Sequence, residues 1–420
     1  MDSAISQPLT LKCGLQMKNR LVKAAMAEGM ADKDNLPTVL HEGAYEQWGR
    51  GGWGMVLTGN VQVDMAFCGQ PGDNAVNPQL EEELNKRWKL WAAACTRHDG
   101  TPTIVQINHP GRQSPLGART VSHFAKNIAP SPVPLNFGTG IMANFASSVM
   151  FGTPREMTQE DIDRVVEQFA HTSCLVNRAG FHGVQLHAAH GYLLSTFLSS
   201  QTNQRTDIYG KSAAGRAKIV VDIVHAIRAA LPNSFCVGIK LNSVDHQSKD
   251  ELAQCIEQVK LIAEAGVDFV EISGGTYENP SMMSNAPQHS PEKSSRTIAR
   301  EAFFLEFAEA IRSEFPTLPL IVTGGFRTRQ GMARALEDGH CDMVGLGRPA
   351  VLYPALPNDM ILNPDVPDEE AKFETTPIQG SAMMAKLTGI KSIGSGAESK
   401  WYSSRIQKMG LGSSSSEISP

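Results

Sequence analysis

Short apolar runs alternate along this chain with longer stretches of helical periodicity, the pattern of βα units around a parallel sheet. The runs Leu21–Met26, Gly54–Val61, Thr103–Asn108, Gly183–His187, Cys236–Leu241, Phe269–Ser273, Leu320–Thr323 and Met343–Gly347 predict eight strands. Several of the intervening helices have readable ends. Thr158 precedes apolar positions Ile162, Val165, Val166, Phe169 and Leu175, and Gly180 stops the run. Ser248 and Glu251 have the spacing of a capping box before Leu252, Cys255, Ile256, Val259 and Ile262, with Gly266 closing. A third helix is predicted over Ala213–Leu231, with Ile219, Val220, Ile223, Val224 and Ile227 on one face and Pro232 beyond it. Each strand but the last is clearly followed by a helical pattern. That favours an α/β fold of the closed (β/α)8 TIM-barrel kind over an open doubly wound sheet.

One region breaks the rhythm. Pro110–Pro154 is rich in Pro, Gly, Ser and Asn, contains the extended run Ala129–Pro134, and shows little periodicity. It reads as a long insertion after strand three. Loops that follow barrel strands lie on the catalytic face, so a lid is expected there, with a passive excursion as the alternative. The organisation expected is one barrel over residues 1–360 and a C-terminal extension over 361–420. Its end, Gly412-Ser413-Ser414-Ser415-Ser416, has the composition of a disordered tail. Neither an internal repeat nor a G-x-G-x-x-G fingerprint is present.

Composition narrows the class. At 420 residues, with 41% hydrophobic and 19% charged positions, the chain reads as a soluble globular protein. A net charge of −5 argues against nucleic acid or an anionic membrane as partner. No window approaches the roughly 18 consecutive apolar residues of a membrane span, and Met1–Leu11 lacks the basic-then-apolar start of a secretory leader. The seven cysteines are scattered without a C-x-x-C pair, which speaks against a disulfide framework, structural zinc or an iron–sulfur cluster. A reducing cytoplasm is the expected setting, and a homo-oligomer is compatible with all of this.

The densest chemistry is His187-Ala188-Ala189-His190-Gly191-Tyr192, at the predicted C-terminal end of strand four, where barrel active sites lie. Two histidines can each give an N–H to one oxygen and polarise a carbonyl, and a phenol can supply a proton. Two other readings stand beside this one: a hydrogen-bonded pair packed at the rim, and a metal pair, for which no further ligand lies close by in sequence. Gly324-Gly325-Phe326 and Gly345-Leu346-Gly347-Arg348 are glycine turns directly after strands seven and eight, where barrels commonly hold phosphate. Arg348 adds a bidentate donor. Gln106 in strand three, Lys240 near the end of strand five and Ser273 after strand six would edge a flat polar cofactor. An ammonium in an apolar strand requires a partner, and either an anionic cofactor edge or a neighbouring carboxylate would serve Lys240.

Taken together these segments resemble Old Yellow Enzyme and its bacterial and fungal relatives, from Lys18-Asn19-Arg20 to Arg348-Pro349. The most specific stretches are His187 to Arg216, through Gln201-Thr202-Asn203-Gln204-Arg205-Thr206-Asp207, and Glu271-Ile272-Ser273-Gly274. The resemblance implies FMN held by backbone at Ala25 and Met26, by Gln106 at the pyrimidine edge and by Lys240 near N1, with Asn60 and Ser273 in the same wall. It puts the phosphate on Gly325, Phe326, Gly347 and Arg348. It makes His187 and His190 the pair that holds the substrate's activating oxygen and Tyr192 the proton donor. Four positions depart from the family pattern: Ala25 stands for Pro, Ala27 for Thr or Cys, Asn60 for Ala or Gly, and Lys240 for Arg.

The activity so implied is ping-pong reduction of an α,β-unsaturated carbonyl compound by NADPH (or NADH) through FMN, with no metal. Its rivals are an FMN-dependent dehydrogenase or oxidase running the reverse chemistry, a metal-dependent barrel hydrolase using His187 and His190, and a flavoprotein without catalysis. Specialised substrates would be selected by the insertion and by the loop Tyr277–Arg296.

Overall fold

The computed structural model describes residues 3–118, 125–136, 147–242, 249–273, 307–375 and 392–412. Eight parallel strands form a closed ring: β1 (Leu21–Lys23), β2 (Met55–Gln62), β3 (Thr103–Asn108), β4 (Gly183–Ala188), β5 (Cys236–Asn242), β6 (Phe269–Ser273), β7 (Leu320–Thr323) and β8 (Met343–Leu346). Closure is explicit, because β1 pairs with β2 on one side and with β8 on the other. The expected (β/α)8 barrel is what the chain forms.

Around the ring lie α1 (Val39–Arg50), α2 (Glu81–Thr96), α3 (Gln159–Ala179), α4 (Leu193–Leu198), α5 (Ala213–Ala230), α6 (Lys249–Glu264), α7 (Arg329–Glu337) and α8 (Arg348–Leu352), with α9 (Ser392–Gly410) from the C-terminal stretch. The sequence signals act as expected at α3. Thr158 Oγ1 accepts from the Asp161 N–H, Asp161 accepts in return from the Thr158 N–H at 3.0 Å, and Gly180 closes the helix at φ 92°. Ser248, the expected cap of α6, lies outside the described residues, as do 119–124, 137–146, the loop Tyr277–Arg296 and the tail from Ser413.

The first strand is shorter than the apolar run predicts. It ends at Lys23, and only Ala24 continues the ladder, donating to Leu346 O at 3.0 Å. Ala25 and Met26 are apolar because they form a cavity wall beyond the sheet, not because they extend it.

Period two organises the interior. Val22, Ile104, Cys236, Phe269, Ile321 and Met343 fill the bottom of the barrel, which a hairpin of Leu9–Thr10 and Gln16–Met17 closes with Leu11 and Met17. Two residues further along, the same face carries Gln106, Glu271, Thr323 and Gly345. Alternate positions such as Val237, Val270 and Val344 face the helix layer instead. Polarity therefore rises along the barrel axis toward the strands' C-terminal ends, and that end is where chemistry can occur.

Candidate active site

At that end lies a cavity of about 240 Å³ lined by residues from all around the ring. Every residue singled out from the sequence lines it: Ala25, Met26, Asn60, Gln106, His187, His190, Tyr192, Lys240, Ser273, Gly325, Phe326, Gly347 and Arg348.

His187, next to last in β4, faces the cavity, and the chain then turns sharply. His190 and Gly191 both adopt positive φ, 60° and 77°. A left-handed histidine costs about 1 kcal/mol or more and persists only where its surroundings hold it. Here Gln113 Nε2 donates to the His190 carbonyl at 2.8 Å, and the His190 N–H donates to Asn242 Oδ1 at 3.2 Å. The turn brings the imidazoles to 4.9 Å between centroids and sets the Tyr192 ring edge-on to His187 at 4.7 Å.

Burial drives both histidines well below their usual range; the His190 and Lys240 charges add to this at His187, as does Lys240 at His190. Both rings are neutral at pH 7, so each carries one N–H. The Ala189 N–H donates to His187 Nδ1 at 3.3 Å, which leaves the proton on Nε2. His190 Nε2 stands 3.2 Å from Ser273 Oγ. Two neutral N–H donors at one mouth polarise an oxygen without transferring a proton to it. Among the described residues the three-ligand group able to hold a metal is Cys13, Cys236 and Asp268 at the opposite end, and neither histidine belongs to it.

Beneath the mouth runs a belt of buried polar side chains. Strand register sets Lys240 directly beside Glu271, and Gln106 beside Gln185. Lys240 Nζ lies 3.0 Å from Glu271 Oε1, which also accepts from Thr323 Oγ1 at 2.7 Å. Glu271 Oε2 accepts from Gln185 Nε2 at 2.7 Å, and Gln185 Oε1 accepts from Gln106 Nε2 at 2.6 Å. The carboxylate alternative for Lys240 is thus realised, and the ammonium still lines the cavity. Glu271 and Gln185 were not among the expected site residues. The signal for Glu271 was available, since a carboxylate inside Phe269-Val270-Glu271-Ile272-Ser273 needs a partner as much as Lys240 does.

The wall fits a flavin. Asn60 Oδ1 is buried without a hydrogen-bond partner among the described residues, and Asn60 lines the cavity, so an acceptor is left for a ligand N–H. Gly324 and Gly325 hold φ of 123° and 83°, so the turn after β7 keeps bare backbone at the cavity, and within β8 a Cβ on Gly345 would meet Thr323 Oγ1 at 1.9 Å. Three further lining residues, Glu398, Ser399 and Tyr402, come from α9, outside the strand rhythm altogether.

A barrel mouth walled in this way is that of a flavin-dependent oxidoreductase. The chain belongs to the NADH:flavin oxidoreductase / NADH oxidase family, whose model matches residues 4–361. It is 48% identical over 416 residues to the NADH-dependent flavin oxidoreductase iccE of Talaromyces variabilis, covering 97% of this chain and 98% of that one. It is 44% identical over 389 residues to the NADH-dependent flavin oxidoreductase iliE of Hypocrea jecorina, covering 92% and 96%. The fold is shared with morphinone reductase (TM-score 0.67, 21% identity, 90% of this chain and 92% of that one). It is shared equally with an old yellow enzyme homologue from Zymomonas mobilis (TM-score 0.68, 20% identity, 89% and 97%). The flavin of this family is FMN and the electron source a reduced nicotinamide.

Proposed function

We propose that this enzyme reduces the activated C=C bond of an α,β-unsaturated carbonyl compound. The observation that carries the reading is the neutral His187–His190 pair set beside Tyr192 at the mouth of a flavin-fitting cavity. Bound FMN supplies the hydride, taken from NADH or NADPH, for the substrate's β-carbon. Gln106 and Asn60 hold the cofactor's polar edge, Lys240 places positive charge beside it, and Gly325, Phe326, Gly347 and Arg348 take its phosphate. His187 and His190 donate to the substrate's carbonyl oxygen and stabilise the charge that develops there. Tyr192 gives its phenolic proton to the α-carbon. The insertion over Pro110–Pro154, held in its described part by Arg205 donating to Pro130 O, is assigned to the substrate side. Seven free thiols support a reducing, cytoplasmic setting.

Stopped-flow traces of the two half-reactions test this. Tyr192→Phe keeps the ring and removes the hydroxyl. Flavin reduction by NADH or NADPH should run close to the parent rate, and so should reoxidation by a quinone or dioxygen, which needs no carbon protonation. Reoxidation by an enone should fall by roughly 10²–10⁴-fold, the usual contribution of a positioned general acid. His187→Ala should also weaken phenol binding, because it holds oxygen in ground and transition states alike. An unchanged enone rate in Tyr192→Phe assigns the proton to another donor. Collapse of both half-reactions makes Tyr192 structural. A desaturated product formed under air, with no enone reduction by the parent, establishes the reverse chemistry.

A further inference from the structure

The phosphate end of the cavity is closed by a helix far away in sequence. Glu398, Ser399 and Tyr402, on one side of α9, line the cavity with Gly347 and Arg348. Arg348 Nη1 donates to Glu398 Oε1 at 2.7 Å, with the two side chains only 18% and 8% exposed. The next turns of α9 hold the loop that leaves β1. Ser403 Oγ donates to Ala27 O at 2.7 Å, and Gln407 Nε2 donates to Glu28 O and Gly29 O at 3.0 and 2.9 Å. Its C-terminal end packs backbone to backbone on α1, where a Cβ on Gly43 would meet Gly410 O at 2.2 Å. Glu398 is therefore mounted on a helix anchored at several separate points, not on a loop free to swing.

We infer that Glu398 is a positioning residue for the cofactor phosphate, and that α9 is part of the flavin site. The inference rests on the reading that Arg348 binds that phosphate. A guanidinium carries N–H donors along two edges of a planar fork, and a carboxylate on one edge fixes the plane while the other donors remain for a second anion. Without that carboxylate the long side chain samples many rotamers, and ordering it weakens phosphate binding. The competing geometry has Glu398 occupying the phosphate's own place and withdrawing when FMN arrives. The anchoring of α9 through Ser403, Gln407 and Gly410 argues against such a withdrawal.

Flavin binding to the apoprotein decides between them, followed by quenching of flavin fluorescence with FMN and, separately, with riboflavin, which lacks the phosphate. Glu398→Gln should weaken FMN about tenfold and leave riboflavin affinity at the parent value. Arg348→Ala should weaken FMN on the order of tenfold to a hundredfold, and adding Glu398→Gln to it should cause no further loss, because the two residues act through one contact. The apoprotein's thermal midpoint should stay within a few degrees of the parent in Glu398→Gln. Tighter FMN binding in Glu398→Gln would establish competition and overturn the inference. Equal losses for FMN and riboflavin, or no loss for either, would reduce Glu398 to helix packing. If Arg348→Ala itself binds FMN as the parent does, the phosphate assignment falls and this inference with it.

Discussion

Two lysines are buried in strands of this barrel, on opposite faces of its wall. Lys23, on β1, points into the layer between barrel and helices, with its ammonium 4.0 Å from the centre of the Trp48 ring and 5.3 Å from that of Tyr45. It donates to Leu57 O at 2.9 Å, and Glu28 stands 3.8 Å away, itself bonded to the Tyr45 hydroxyl and to the Gly59 N–H. Lys240, on β5, points inward, meets Glu271 at 3.0 Å and lines the cavity. Burial pushes Lys23 down to about 8 against the opposing pull of Glu28, and it pushes the Glu28 carboxyl up. Both lysines are buried. What separates structure from chemistry is which face of the strand the side chain occupies, and so whether its charge reaches a ligand.

Removing each charge sharpens that contrast, and Lys240 should give the larger effect. Lys240→Met leaves Glu271 without its cation and should cost about 3–5 kcal/mol in chemical denaturation, the range for breaking a buried pair. It should also lower the two-electron potential of bound FMN by about 30 mV or more, the equivalent of ~1.4 kcal/mol. Adding Glu271→Gln, which removes the uncompensated charge and keeps one acceptor oxygen in the network, should restore much of the stability and none of the potential. If the potential recovers as well, Lys240 serves only to balance Glu271.

At pH 7 Lys23→Met should cost about 1–3 kcal/mol, because it strips Glu28 of its cation and Leu57 O of a donor, and less than Lys240→Met because the Lys23–Glu28 contact is the longer one, 3.8 Å against 3.0 Å. The flavin potential should not move. The pH dependence supplies a second check. Folding depresses Lys23 from 10.5 to about 8, so between those values the unfolded chain holds a proton that the folded chain has released. The stability difference between the parent and Lys23→Met should therefore move in the parent's favour as pH rises across that window. A potential shift in Lys23→Met would erase the distinction between the two faces.

The smallest effect tests the β1 side of the cavity itself. Ala27 lines the wall without a side-chain donor. Ala27→Thr adds one hydrogen bond to the flavin edge, worth about 1 kcal/mol, and should raise the potential by roughly 20 mV while slowing delivery to the enone. An unchanged potential in a fully loaded variant would mean that the edge near Ala27 does not sense the wall.

Much of this protein was legible in one dimension. Apolar runs of strand length, helix caps such as Thr158 and Gly180, and the placement of His187, His190 and Tyr192 at the end of a strand are local features with local causes. The resemblance carried by the stretch after His187 then assigned the cofactor. Strand boundaries were less legible where an apolar residue served a cavity wall, as at Ala25 and Met26. Lys240 shows a different limit. Its need for a partner follows from its sequence neighbours, but the choice of Glu271 follows from the register of β5 on β6.

By itself, then, the sequence determined the elements, the inward and outward alternation along each strand, and the chemical kinds of side chain at the barrel mouth. These depend on periodicity and on the intrinsic properties of neighbouring residues. Tertiary structure alone decided which charges share a cavity and which are sealed in a packing layer. It also decided that a helix beginning at Ser392 closes one end of the cavity through Glu398 and Arg348, fifty positions apart. Such contacts are set by ring closure and helix docking over long separations, where no local pattern records which partner will be met.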